Sequence, residues 1–247
     1  MSAPQLSAAS PPDVERSDAR QLAFEFEAPP RYGDDDFLVA PSNAAAHAMI
    51  SGWPNWPDPV LVLVGDPGAG KSHLAAIWAR RARAVLARPI AVRADAALGE
   101  FYGRNILVDD ADRVADEQGM FHLFNLVQES RASMLLTTSQ PPELLGVRLP
   151  DLLSRLRRAP RVEIGTPDDD LVRAVLVKLF VDRQLVVEAS VIDYLAARID
   201  RSLDVARELV RALDEEALIE GRRIGRGMAA RLLARLELDD LHSRDSD

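Results

Sequence analysis

The sequence predicts an α/β domain on a parallel five-stranded sheet, followed by a small all-helical domain. Three observations carry that expectation. Val60-Leu61-Val62-Leu63-Val64 is an unbroken apolar run, as suits a strand buried on both faces. It leads directly into Gly65-Asp66-Pro67-Gly68-Ala69-Gly70-Lys71-Ser72, which reads G-x-x-x-x-G-K-S and opens onto a helical pattern. Strand-like and helix-like segments then alternate as far as Ile164, and beyond Thr166 every apolar stripe has helical spacing.

The loop carries its own chemistry. Gly65 to Gly70 are small and flexible enough to wrap a phosphate in backbone N–H groups, with Asp66, Pro67 and Ala69 completing the turn. Lys71 adds positive charge near the β- and γ-phosphates, and Ser72 offers a hydroxyl to Mg²⁺. His73 follows on the first turn of the helix. The chain has only two lysines, Lys71 and Lys178, against many arginines. A lysine kept at this one position suits a compact point charge better than a guanidinium.

In chain order, residues 1–20 are rich in Ser, Ala, Pro and charge and read as a disordered tail. Gln21-Leu22-Ala23-Phe24-Glu25-Phe26 follows, with apolar residues at 22, 24 and 26. That alternation suits an extended peptide laid in a groove, or a chance apolar cluster. Asp34 to Val39 lead to a helix that Ser42 or Asn43 can cap. The helix after the loop runs from Lys71 to about Leu86, burying Leu74, Ile77, Trp78 and Ala82. Pro89-Ile90-Ala91-Val92 reads as the second strand. The third, Asn105-Ile106-Leu107-Val108, ends in Asp109-Asp110, where one carboxylate can hold the Mg²⁺ water shell and the other orient an attacking water.

Residues 118–131 read as a helix, and Ser133 to Ser139 as a fourth strand with a polar end. Ser139 can sense a γ-phosphate or simply cap the strand. Asp151 to Arg158 form a helical turn, apolar on one side and arginine on the other: a solvated basic face, or a finger that reaches a neighbouring molecule's ATP. Arg161 to Ile164 fit a last strand. Thr166-Pro167-Asp168-Asp169-Asp170 reads as a helix start, with Thr166 as the cap. In the helices that follow, Arg207 shares a polar face with Arg211 and Asp214, either as a surface ion-pair residue or as a cation facing the phosphates. The expected divisions are residues 1–33, 34–165, 166–241 and 242–247.

Composition narrows the classes. A net charge of −9 argues against a general nucleic-acid binder, and no sequence-specific DNA reader is apparent. Without cysteine there is no disulfide, thiolate metal site or cysteine nucleophile. No signal segment and no membrane-length apolar run is present, so a cytoplasmic protein is the expectation.

Together these pieces resemble the AAA+ order, and in detail the ATPase core of the bacterial replication initiator DnaA. The resemblance rests on Asp36-Phe37-Leu38-Val39 with Ser42-Asn43, Gly70-Lys71-Ser72-His73-Leu74, Val108-Asp109-Asp110, Ser154-Arg155-Leu156, and Arg207-Glu208-Leu209 with Ala212-Leu213. It spans about residues 34–237. No counterpart of the initiator's helicase-contact and helix-turn-helix domains is expected before residue 34 or after Leu241. The chain therefore resembles the stand-alone regulatory inactivators of DnaA, the Hda or HdaA family. Gln21, Leu22, Phe24 and Phe26 fit the sliding-clamp motif of that family. One position departs: Ser139 stands where the initiator carries Asp.

The resemblance implies bound ADP or ATP with Mg²⁺. Gly65 to His73, Ser139 and Arg207 would lie at the nucleotide, Ser72 and Asp109 at the metal, and Asp110 at the water. It implies DnaA and the DNA polymerase III β clamp as partners, with self-association as a homodimer or oligomer open. Arg155 would enter DnaA's nucleotide site and speed its hydrolysis, while the chain's own turnover stays weak. Two rivals remain: a helicase-loader-like remodelling ATPase, and a pure adaptor that keeps its nucleotide site for structure.

Overall fold

The computed structural model describes residues 36–96 and 98–244, with side-chain surroundings as far as residue 236. Its sheet has five parallel strands in the order β2-β3-β4-β1-β5. β1 (Val60–Val64), β3 (Ile106–Val108) and β4 (Met134–Thr138) are buried along their whole length. Their apolar runs are therefore unbroken rather than alternating, because both faces of the sheet are covered. Odd and even positions still part company. Leu61, Leu63, Leu107 and Leu135 face α1 (Ala44–Ser51) and α2 (Lys71–Ala82). Val62, Val64, Ile106, Val108 and Leu136 face α3 (Glu117–Ser130) and α4 (Pro150–Arg158).

Two expectations needed correction at the sheet edge. Helix α2 stops at Ala82, because Arg83 adopts the left-handed conformation (φ 51°) and its N–H closes back on Arg80. The chain then enters β2 at Val85–Leu86, bonding Asn105 and Leu107. Residues Pro89–Ala91, expected as the strand, form a 3₁₀ turn with proline at its first position. Proline cannot donate to a ladder but suits a helical first turn.

The C-terminal helices α5 (Asp169–Asp182), α6 (Ala189–Ala196), α7 (Leu203–Glu220) and α8 (Arg226–Arg244) pack around their own core of Leu176, Phe180, Leu195, Leu209, Val210 and Leu213. The cap of α5 is Asp168, whose side chain accepts from Leu171 N at 2.7 Å. Thr166, expected there, instead donates to Asp66 Oδ2 at 3.0 Å, tying the start of the helical part to the phosphate loop. Asn43 stands at the head of α1 as expected. Its side chain, however, holds the preceding segment, accepting from Ala40 N and donating to Leu38 O. That segment bridges the two cores: Phe37 belongs to the α/β core, whereas Leu38 and Ala40 pack on the helical one. Asp36 pairs with Lys178 of α5 at 2.8 Å.

Candidate nucleotide site and arginine helix

The loop after β1 sits at the C-terminal end of the parallel strands, where open α/β sheets place their ligands. Its glycines are required by space and by dihedral angle. A Cβ on Gly65 would lie 2.3 Å from Ile164 Cγ2. Gly68 and Gly70 have φ values of 75° and 102°, where other residues are strained. Helix α2 then starts at Lys71 and turns its N-terminal N–H groups toward the loop. Lys71 is buried, and its Nζ donates to the carbonyls of Gly65 (2.7 Å) and Asp66 (2.9 Å). The ammonium is thus stationed inside the loop by two neutral oxygens, with no carboxylate paired to it among the described residues. Ser72 is exposed beside it, and His73 meets the ring of Phe37 edge-on at 5.4 Å.

The two acids at the end of β3 are held from β4. Thr137, fully buried, donates from Oγ1 to Asp109 Oδ1 at 2.6 Å and accepts the Asp110 N–H at 2.8 Å. One hydroxyl therefore fixes both the carboxylate of Asp109 and the left-handed backbone of Asp110 (φ 54°). Asp110 Oδ2 also lies 3.4 Å from Arg113. Ser139 donates to Asp112 Oδ2 at 2.6 Å, so its hydroxyl is engaged with an acid of the same rim. Sequence reasoning weighed Ser139 and missed Thr137; the one signal was a hydroxyl residue inside an apolar run, at the register opposite the first acid.

The helical part closes over the loop. Leu203 N–H, at the start of α7, donates to Gly68 O at 2.8 Å. A Cβ on Gly68 would fall 1.9 Å from Ser202 Oγ, the cap of α7. Arg207 lies one turn further along α7, its guanidinium paired with Asp204 at 2.7 Å and 31% exposed. The structure thus brings together the loop, both acids, Ser139 and the arginine-bearing helix. The donor set fits a nucleotide phosphate chain with a cation: glycine-lined backbone, a stationed ammonium, an exposed hydroxyl at a helix start and a fixed carboxylate.

Arg155 belongs to a separate face. On α4, Leu152 and Leu156 are buried against the sheet, while Arg157 and Arg158 are exposed. Arg155 is half-buried: its guanidinium lies over the Phe121 ring at 4.7 Å, and Nη1 donates to Gln128 Oε1 at 3.3 Å. It is not walled in. Gln21, Leu22, Phe24 and Phe26 lie outside the described residues.

Sheet order, loop and helical lid define an AAA+ P-loop NTPase fold, like that of domain III of the replication initiator DnaA. Domain III of Thermotoga maritima DnaA superposes with a TM-score of 0.72 at 17% identity, over 84% of this chain and 97% of that one. The AMPPCP-bound DnaA of Aquifex aeolicus gives 0.66 at 20% identity, over 87% and 72%. In sequence the chain is similar to DnaA proteins over the part that corresponds to domain III. The Cutibacterium acnes protein is 26% identical over 210 residues, which is 74% of this chain and 41% of that protein. The chain spans 41–56% of the length of the DnaA relatives it matches, and no family model matches it. Among the described residues no helix is long and apolar enough to cross a membrane.

Proposed function

We propose that the chain is a regulatory inactivator of DnaA: it binds ADP or ATP with Mg²⁺, docks on the DNA-loaded sliding clamp, and stimulates hydrolysis of DnaA-bound ATP. The observation that carries the reading is Arg155. It stands on an amphipathic helix with its charge uncancelled by any carboxylate among the described residues, on a face open to a partner. Ten other arginines of the described chain are paired with acids.

Within the chain's own site, Gly65 to Lys71 would cradle the phosphates, and Ser72 and Asp109 would hold the cation. Bound there, Mg²⁺ would neutralise phosphate charge. Thr137 keeps Asp109 aimed and Asp110 in its turn. The start of α7 docks on Gly68, and Arg207, one turn further along, would face the same phosphates, so that nucleotide and lid would stabilise each other. Support for an adenine nucleotide comes from the AMPPCP-bound relative of the same fold. The leader segment with Gln21, Leu22, Phe24 and Phe26 would occupy the clamp groove, raising the effective concentration of Arg155 near DNA. An arginine supplied in trans is worth ~10³–10⁵ in rate, which suffices for a switch against re-initiation. Self-association as a homodimer or oligomer through the same arginine face fits this reading.

The test is hydrolysis of DnaA-bound ATP with clamp, DNA and this protein. Arg155→Ala is expected to abolish stimulation and leave clamp binding intact, while Gln21→Ala is expected to lose clamp binding and, with it, stimulation. Full stimulation by Arg155→Ala contradicts the assignment. Capture of the replicative helicase instead of the clamp would favour a loader.

A further inference from the structure

The face of α3 beneath Arg155 is more specific than a general packing surface. Glu117, Phe121 and Gln128 are spaced by four and seven residues, so they line one side of the helix. Glu117 accepts from Arg148 N (2.9 and 3.1 Å to its two oxygens) and from Leu149 N (2.6 Å), fixing the loop that opens α4 at Pro150. Phe121 lies under the Arg155 guanidinium, and Gln128 accepts its Nη1 proton. Helix α4 is therefore held to one stripe of α3 at its start and again at Arg155.

The chemistry of the two partners of Arg155 matters. An aromatic face and an amide oxygen orient a guanidinium without neutralising it. A carboxylate in either place would orient it equally well and cancel the charge. Asp and Glu play that part for Arg161, Arg173, Arg201 and Arg207 in this same chain.

We propose that Phe121 and Gln128 are positioning residues that hold the Arg155 guanidinium pre-oriented and fully charged for insertion into a partner's nucleotide site, with Glu117 fixing the helix that carries it. This rests on the reading of Arg155 as a trans-acting finger. The bracket removes the need to order a long side chain at the moment of contact, so the rate at saturation, rather than affinity for DnaA, depends on it.

The experiment uses the full chain with clamp-loaded DNA and ATP-bound DnaA, and reads single-turnover hydrolysis against protein concentration. Phe121→Ala and Gln128→Glu are each expected to lower the saturating rate about tenfold or more, with the half-saturating concentration changed by less than about twofold. Phe121→Trp keeps the aromatic face and is expected to keep the rate. Gln128→Glu is the decisive variant. It holds the guanidinium more firmly than glutamine does, so a purely structural role predicts no loss, whereas the bracket predicts a loss larger than that of Gln128→Ala. Gln128 is exposed, so its variants remain informative should Phe121→Ala fail to fold. Full activity of Gln128→Glu overturns the bracket while leaving the finger standing. Full activity of Arg155→Ala overturns the finger itself, and the bracket with it.

Discussion

Replacing Thr137 with valine removes one hydroxyl and almost no volume. The side chain is fully buried between β3 and β1 in the sheet, so no water can take the place of the lost oxygen. Two bonds go at once: the donation to Asp109 Oδ1 and the acceptance of the Asp110 N–H. A buried N–H left without an acceptor costs about 1–3 kcal/mol. Asp109 is half-exposed and can recover solvent for its oxygen, so its share is smaller. The expected loss is about 2 kcal/mol of unfolding free energy, or roughly 4–8 °C in melting temperature for a domain of this size. The more telling effect is on cation binding, because a carboxylate freed from its outer hydrogen bond loses about 10–100-fold in metal affinity. Titration of a fluorescent ADP with and without Mg²⁺ separates the two. Thr137→Val should lose the Mg²⁺-dependent part of the affinity, keep the Mg²⁺-independent part, and unfold earlier in urea. Thr137→Ser should restore both. Unchanged Mg²⁺ dependence in the valine variant would refute the assignment of Thr137 as the residue that aims Asp109.

Two further outcomes follow from particular contacts. Gly68→Ala places a side chain at φ 75°, at a cost of about 1–2 kcal/mol, and drives a methyl into Ser202 Oγ; the lid should lift, seen as weaker ADP binding and faster proteolysis near residue 202. Asp116, the cap of α3, is held below the usual carboxylate range by the N–H groups of Ala94 and Gly119. Its depressed folded-state value gives stability that is fully present above the unfolded value of about 4 and is lost as pH falls through the folded one. Thermal melts of wild type and Asp116→Asn should therefore differ at pH 7 and converge in strong acid; a gap independent of pH contradicts that.

Much of this molecule was legible because its chemistry is local. The five apolar residues of β1 and the spacing from Gly65 to Ser72 identify a buried strand, a phosphate loop and a helix start without reference to the rest of the chain. The strand carrying Asp109 and Asp110, the helix carrying Arg155 and the lid stripes were visible in the same way. The second strand was not. Its two residues lie at the sheet edge with Leu86 half-exposed, so they bury too little to leave a periodic pattern. Ile90, which drew the strand assignment, is 86% exposed. The cap of α5 was misread by two residues, because Thr-Pro is a strong helix-start pattern and only tertiary contact with Asp66 reveals another use for Thr166. Thr137, the α7 start on Gly68 and the α3 stripe under Arg155 are pairings over long sequence separations. No window of sequence contains both partners.

The most direct test of the account is a ratio of two rates. ATP-bound DnaA is mixed with clamp-loaded DNA and either the wild-type chain or its Arg155→Ala variant, and the first-turnover conversion to ADP is timed. The wild type is expected to accelerate conversion, and the variant, still bound to the clamp, to leave DnaA at its unstimulated rate. Equal acceleration by the two proteins would contradict it.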